Sequence, residues 1–207
     1  MNDPLVKIRG MILAAGYGSR LAPLTDHLPK PLLPVRGKPL IDHAIMALQA
    51  AGIDRIAVNT HHMADLVAGH LQSRADAGRF YISDEPEIQA TGGALAAARE
   101  FLAEADHFLI YNGDVLCDAD LEELIRDHLE SDALATLLLV DWPAINSVAV
   151  DPGGRVCRIG GDGGQDDQSR RQLTYTGIGI FRCDLLNDIG PGFSSLIDPL
   201  VKAKDRN

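Results

Sequence analysis

Three charged side chains stand where phosphate chemistry would use them. Arg20 closes a glycine-bearing loop, AGYGSR (15–20), that follows an apolar run. Lys30 lies between Pro29 and Pro31, and Asp114 ends the stretch YNGD (111–114). Gly16 and Gly18 let a backbone approach an anion closely, while Ser19 and Arg20 add donors. The flanking prolines bias Lys30 towards an extended path and make it a pre-placed cation, useful where negative charge gathers during phosphoryl transfer. Mg²⁺ takes one or two carboxylates plus substrate phosphates, so a strand-end Asp114 is a credible ligand. Each feature also has a plain reading: a tight turn with a surface arginine, a solvated lysine in a Pro-rich connection, and a turn or capping aspartate. Two familiar phosphate cradles do not fit. Leu21 stands where the dinucleotide fingerprint requires its third glycine, and no Gly-Lys-Ser/Thr follows as a P-loop demands.

These residues need elements to hold them. Residues 5–14 alternate and then become wholly apolar, as a strand entering the middle of a sheet does. PLIDHAIMALQAA (39–51) places Leu40, Ile41, Ala44, Ile45 and Leu48 on one helical face, between Pro39 at its first position and Gly52 beyond its end. IAVNT (56–60) reads as a strand, 63–74 as a helix, RFYIS (79–83) as a short strand and alanine-rich 93–105 as a helix. HFLIYNGD (107–114) is a strand, 118–131 a helix capped by Asp118, and ALATLLLV (133–140) a buried strand. This alternation predicts an α/β fold: a three-layer, Rossmann-like domain around a mostly parallel mixed sheet. After Val140, SVAVD and RVCRI flank a hairpin turn at Asp151-Pro-Gly-Gly. Residues 160–172 read as a mobile polar loop, TYTGIGIF (174–181) as a strand, and 194–204 as a helix kinked or stopped at Pro199. In such sheets ligands sit beyond the carboxyl ends of the strands, and the loops 15–20, 84–93 and 112–114 qualify.

Composition narrows the partners. The 207 residues, 46% apolar and 23% charged, suit one well-buried globular domain. A net charge of −10 argues against nucleic acid but leaves room for a small positive pocket that takes an anion. No apolar run approaches the ~20 residues of a membrane span, and no secretory signal is visible, so a cytoplasmic location is expected. Cys117, Cys157 and Cys183 lack both zinc-type spacing and a disulfide framework, and are expected to be reduced, mostly buried thiols. His61-His62 and the pairs Asp166-Asp167 and Arg170-Arg171 read as surface-loop residues.

Taken together, LAAGYGSRLAPLT (13–25), PKPLLP (29–34), GKPLI (37–41), TGGAL (91–95) and NGD (112–114) resemble the sugar-1-phosphate nucleotidyltransferases, in family order and spacing over the first two thirds of the chain. The branch most similar in look contains the N-acetylmuramate 1-phosphate uridylyltransferases and mannose-1-phosphate guanylyltransferases. The resemblance implies the nucleotide-diphospho-sugar transferase type of fold. It also implies transfer of a nucleoside monophosphate from an NTP to a sugar 1-phosphate with release of pyrophosphate. The substrate pairs it suggests are UTP with N-acetylmuramate 1-phosphate, or GTP with mannose 1-phosphate.

Residue by residue, Ala14, Ala15, Gly16, Gly18, Ser19 and Arg20 would wrap the nucleotide, with Arg20 on its β- and γ-phosphates. Lys30 would meet the sugar phosphate or the α-phosphate. Gly92 and Gly93 would hold the base, Gly113 would lie near the ribose, and Asp114 would bind Mg²⁺. Asn59, Glu85 and Gly177 would face the sugar. Relatives usually add a late metal carboxylate on a strand resembling Trp-x-Asp-x-Gly-Thr, and this sequence contains no such motif. The expectation is therefore a single domain over 1–207 without that strand. The alternative is a non-catalytic nucleotide-sugar-binding or regulatory subunit of the same fold.

Overall fold

The computed structural model describes residues 6–160 and 170–204. The chain opens with β1 (Ile8–Leu13) and, after 3₁₀ turns at Ser19–Leu21 and Lys30–Leu32, forms the small ribbon β2 (Pro34–Val35) and β3 (Lys38–Pro39). Next come α1 (Leu40–Ala50), β4 (Ile56–Thr60), α2 (Ala64–Ser73), β5 (Phe80–Asp84), α3 (Ala90–Ala97) and α4 (Arg99–Leu102). β6 (His107–Asn112), α5 (Leu121–Leu129) and β7 (Ala135–Val140) complete the alternating part. The remainder is β8 (Val148–Val150), β9 (Val156–Ile159), β10 (Arg171–Arg182), a 3₁₀ segment at Cys183–Asp188 and α6 (Ile197–Lys204).

β5, β4, β1 and β6 lie side by side and parallel, with β10 antiparallel to β6 and β7 antiparallel to β10. Successive side chains of a strand point to opposite faces, so each half of the sheet's residues meets its own helical layer. Ile12, Val58 and Leu109 pack with α1, α2 and α5. Met11, Ala57, Phe108 and Phe181 pack with α3, α4, the 183–188 segment and Leu196. The expected three-layer α/β domain with a mostly parallel mixed sheet is what forms.

α1 buries the five residues its sequence period selects, and ends as the sequence suggests. Gly52 N–H donates to the Gln49 carbonyl, and Ile53 N–H to that of Leu48. Four expectations about the helices need correction. Pro39 pairs in the β2–β3 ribbon and precedes the first turn of α1 instead of starting it. α5 is capped by Asp120, whose Oδ1 accepts from the N–H groups of Glu122 and Glu123 at 2.9 and 3.1 Å. Asp118 lies too far upstream of the first helical residue, Leu121, to reach those groups. The 93–105 helix begins earlier, at Ala90, and divides at Ala98. Pro199 is the third residue of α6, where its missing N–H has no intrahelical partner to lose, so it accompanies the start of that helix. No two of the three cysteines are joined, and all three are half-buried rather than buried. Burial pushes the Cys183 thiol up to about 12. The loop expected at 160–172 falls for the most part, with Asp166 and Asp167, outside the described residues.

Candidate active site

The site follows from the order of the strands. The chain runs outward from β1 to β4 and β5, then returns to lay β6 on the opposite side of β1. The connections leaving β1 and β6 therefore diverge, and a crevice opens between them. In register, Leu13 has Asn59 of β4 on one side and Asn112 of β6 on the other. Beyond this edge lies a cleft of about 730 Å³, walled by Leu13 to Leu21 (Ala15 excepted), Lys30 and Pro31, Ile88 and Thr91, and Asn112 to Asp114. Ala14, Gly16, Gly18, Ser19, Arg20, Lys30, Gly113 and Asp114, far apart in sequence, thus share one cavity.

Gly18 joins the glycine loop to the lysine. Its φ of +67° is one that L side chains rarely adopt. A Cβ there would stand 3.0 Å from both Lys30 Cβ and Thr25 Cγ2. The absent side chain is the space through which the Lys30 stem passes. Gly18 is further held by its carbonyl, which accepts from Leu21 N–H at 2.8 Å and from the Thr25 hydroxyl at 3.1 Å. Lys30 itself is not extended. It opens the 3₁₀ turn Lys30–Leu32, closed by Leu33 N–H on the Lys30 carbonyl at 3.1 Å. Pro31 loses no hydrogen bond in such a turn, and that closure outweighs its steric bias on Lys30. The extended residue is Pro29. From this turn Lys30 Nζ pairs with Asp114 Oδ2.

A side pocket of about 160 Å³ adjoins the cleft and is lined by Ala15, Asn59, Glu85 and Ala90 among others. Asn59 and Glu85 are 4% and 2% exposed. Asn59 Oδ1 accepts from Ala14 N–H at 2.7 Å, and its Nδ2 donates to Glu85 Oε1 at 2.9 Å. Glu85 Oε2 accepts from Gln89 N–H at 3.2 Å. These two polar residues hold the start of the glycine loop to the 85–89 wall.

Three glycines stand behind the cleft. Gly92 N–H donates to the Ser194 carbonyl at 2.8 Å, and a Cβ on Gly93 would strike the Gly192 carbonyl oxygen. Both therefore give α3 its close approach to residues 192–194, while Thr91 faces the cleft. Gly177 has φ +85° in β10, where the pairing with β7 slips between Tyr175 and Gly179. A Cβ there would run into the Asn112 side chain, so Gly177 supports a cleft residue from behind.

Sequence reasoning missed Asn112, Thr91, Tyr17 and His61. Asn112 and Thr91 sat inside motifs whose glycines drew attention. Tyr17 offered the clearer signal, an aromatic side chain between two loop glycines. His61 is no plain surface histidine: its ring bridges Tyr17 and the Glu85 carbonyl. Arg170 and Arg171 are exposed, as expected of surface residues.

No helix among the described residues is long and apolar enough to cross a membrane. The donor set at Asp114 fits Mg²⁺: a hard carboxylate facing a cleft, beside a lysine able to exchange partners. Among the described residues no group of three or more His, Cys, Asp or Glu gathers there, so phosphate oxygens and water would complete the shell.

Comparison with known proteins agrees with the geometry. The N-acetylmuramate alpha-1-phosphate uridylyltransferase of Neisseria meningitidis is 34% identical over 209 residues, covering 96% of this chain and 86% of its own. The mannose-1-phosphate guanylyltransferase catalytic subunit beta of Xenopus tropicalis is 36% identical over 148 residues, which are 69% of this chain and 41% of the relative. The chain thus spans about two fifths of the length of the guanylyltransferase relatives it matches. Among solved structures, HddC from Yersinia pseudotuberculosis complexed with GMP-PN superposes with a TM-score of 0.75 at 25% identity, covering 91% of this chain and 83% of its own. A UDP-glucose pyrophosphorylase complexed with UDP-glucose shares the fold at 17% identity and a TM-score of 0.77, covering 98% and 88%. Residues 9–148 match the family described as nucleotidyl transferase, and with the sequence similarity running on almost to both ends of the chain, this protein belongs to that family.

Proposed function

We propose that the chain is a Mg²⁺-dependent sugar-1-phosphate nucleotidyltransferase, with UTP and N-acetylmuramate 1-phosphate as its substrates. The observation that carries the reading is the convergence of Arg20, Lys30 and Asp114 on one cleft from three separate segments. The uridylyltransferase reading is favoured over GTP with mannose 1-phosphate because that relative matches along nearly its whole length.

A phosphate oxygen of the sugar 1-phosphate attacks the nucleotide α-phosphorus in line. One P–O bond forms, the α–β bridging P–O bond breaks, and pyrophosphate leaves with its electron pair. The attacking phosphate is already ionised near neutral pH, so no general base is needed. Positioning and charge neutralisation supply the catalysis. The glycine loop from Ala15 to Ser19 offers backbone N–H groups to the triphosphate, Ala14 N–H being held by Asn59, and Arg20 meets its β- and γ-phosphates. Lys30, anchored by its turn and by Gly18, faces the incoming phosphate, and Asn112 and Gly113 border the ribose. Bound at Asp114, Mg²⁺ would supply Lewis-acid neutralisation of the phosphate charge.

A second reading, a nucleotide-sugar-binding subunit without turnover, rests on Asp114 being the single carboxylate among the described residues that line the cleft. A matrix of four NTPs against several sugar 1-phosphates, read by pyrophosphate release, separates the two. The proposal expects release with UTP and N-acetylmuramate 1-phosphate. Nucleotide-sugar binding by calorimetry without release from any pair would favour the second reading.

A further inference from the structure

The side chains of Tyr17 and His61 take no part in the chemistry above, yet they close a circuit around it. The Tyr17 hydroxyl and His61 Nε2 are 3.0 Å apart, with the rings edge to face at 5.3 Å between centroids. His61 Nδ1 is 2.7 Å from the backbone carbonyl oxygen of Glu85. A carbonyl only accepts, so Nδ1 carries the proton. In the neutral imidazole Nε2 is then an acceptor, and the Tyr17 hydroxyl donates to it.

Glu85 is also the residue whose carboxylate holds Asn59, and Asn59 in turn holds Ala14. The phosphate-facing loop is thus tied to one wall at two places. Its first residue is fixed through buried Asn59, and its tip through Tyr17 and His61. Beyond the tip, Gly18 is held by Leu21 and Thr25, so the Tyr17–His61 contact is what fastens the tip to this wall. Tyr17 is 54% exposed, the rings it meets among the described residues are those of His61 and His62, and nothing lies within 4 Å of where a Gly16 side chain would be. Backbone strain flanks both partners of this tie, the His61 segment and the Glu85 wall. Met63, directly after His61-His62, has φ +52°, and Ala90, at the end of the Glu85 wall, has φ +55°. Non-glycine residues persist in that region only where the surroundings over-determine them, and such places cluster at ligand clamps.

We propose that the Tyr17–His61 hydrogen bond is a latch that holds the glycine loop in its nucleotide-receiving form against the Glu85–Thr91 wall. Tyr17 and His61 are then positioning residues for the nucleotide, acting through the loop. This inference rests on the nucleotidyl-transfer reading of the cleft. Without the latch the loop must be ordered as the nucleotide binds, and that cost falls on affinity rather than on the bond-making step.

The test uses Tyr17→Phe, which keeps the ring and removes the hydroxyl, His61→Asn, which keeps a donor for the Glu85 carbonyl, and the double variant. KM for UTP, with Mg²⁺ and saturating sugar 1-phosphate, is expected to rise by about 2- to 10-fold in each, the worth of one neutral hydrogen bond. kcat is expected to stay within about 2-fold, and the double variant to be no worse than either single one. Equal KM values, or effects that multiply in the double variant, would overturn the latch. Hydrogen exchange on the unliganded chain gives a readout free of activity: amides from Ala14 to Leu21 should exchange faster in Tyr17→Phe than in wild type. Unchanged exchange there would also reject the latch. A wild-type chain that turns over no substrate pair would instead reject the assigned reaction, leaving the exchange comparison to decide the latch.

Discussion

Lys30 and Asp114 form an ion pair whose side chains are 22% and 41% exposed, too wet for the pair to matter much to folding. Its value lies in what it puts at the cleft: a cation on a short, proline-flanked turn and a carboxylate at the end of a buried strand. Lys30→Met should therefore reduce turnover by about 100-fold, the scale on which a single preorganised charge-stabilising donor acts. Thermal denaturation should find the folded state little changed. A large loss of stability with normal specific activity in the surviving folded fraction would mean that Lys30 is structural. Gly18 sets up this residue, and that coupling was only half legible in the sequence. The glycine pattern announced a close approach, but the approach to Gly18 is made by the Lys30 stem, which no local pattern could reveal.

At the scale of elements, β10 does more than close the sheet. Its slip at Gly177 gives the Asn112 side chain room beside the cleft, so a strand antiparallel to β6 shapes the end of β6. Gly177→Ala would add a Cβ at φ +85° against Asn112, combining backbone strain with overpacking, and should cost about 1–3 kcal/mol in urea denaturation. It should also weaken nucleotide binding by displacing Asn112; unchanged stability and binding would show that Asn112 has another place to go. The helices with a clear apolar period, α1 above all, were legible to within a residue or two, because the burial that stabilises them is written into i, i+3 and i+4 spacing. The start of α3 was not. Residues 90–93 are small and carry little period, and they become helical because Gly92 and Gly93 admit the 192–194 segment, a contact about a hundred residues away in sequence.

For the whole molecule, the parallel order β5-β4-β1-β6 puts the cleft at one end and leaves a histidine pair, His128 buried and His107 half-buried, near the other end of the same strands. His107 Nδ1 lies 3.0 Å from His128 Nε2, and His128 Nδ1 lies 2.9 Å from the Thr136 hydroxyl, joining β6, α5 and β7. Burial first, then the neighbouring His107 and Arg182, pull His128 down from 6.5 to about 4, and burial lowers His107 as well. Below about pH 6.5 the unfolded chain takes up protons that the folded chain refuses. The stability these histidines contribute is thus fully present above 6.5 and is lost as pH falls towards 4. Urea denaturation at pH 7 and pH 5 should show this loss in wild type, and a smaller one in His128→Gln; an equal loss in both would assign the acid sensitivity elsewhere. The architecture itself was readable from alternating apolar runs, and the cleft from glycines at strand ends. The histidine pair was not, because it depends on a helix and two strands meeting side by side.

Under the proposed function, this cleft joins a nucleotide to a sugar phosphate through Arg20, Lys30 and a metal held at Asp114. Pyrophosphate release by wild type and Asp114→Asn, with UTP and N-acetylmuramate 1-phosphate at saturating Mg²⁺, is the decisive measurement. Release should require both substrates and fall by at least about 100-fold in the variant, several kcal/mol of metal stabilisation being lost. Release that survives undiminished in Asp114→Asn would contradict the proposed function.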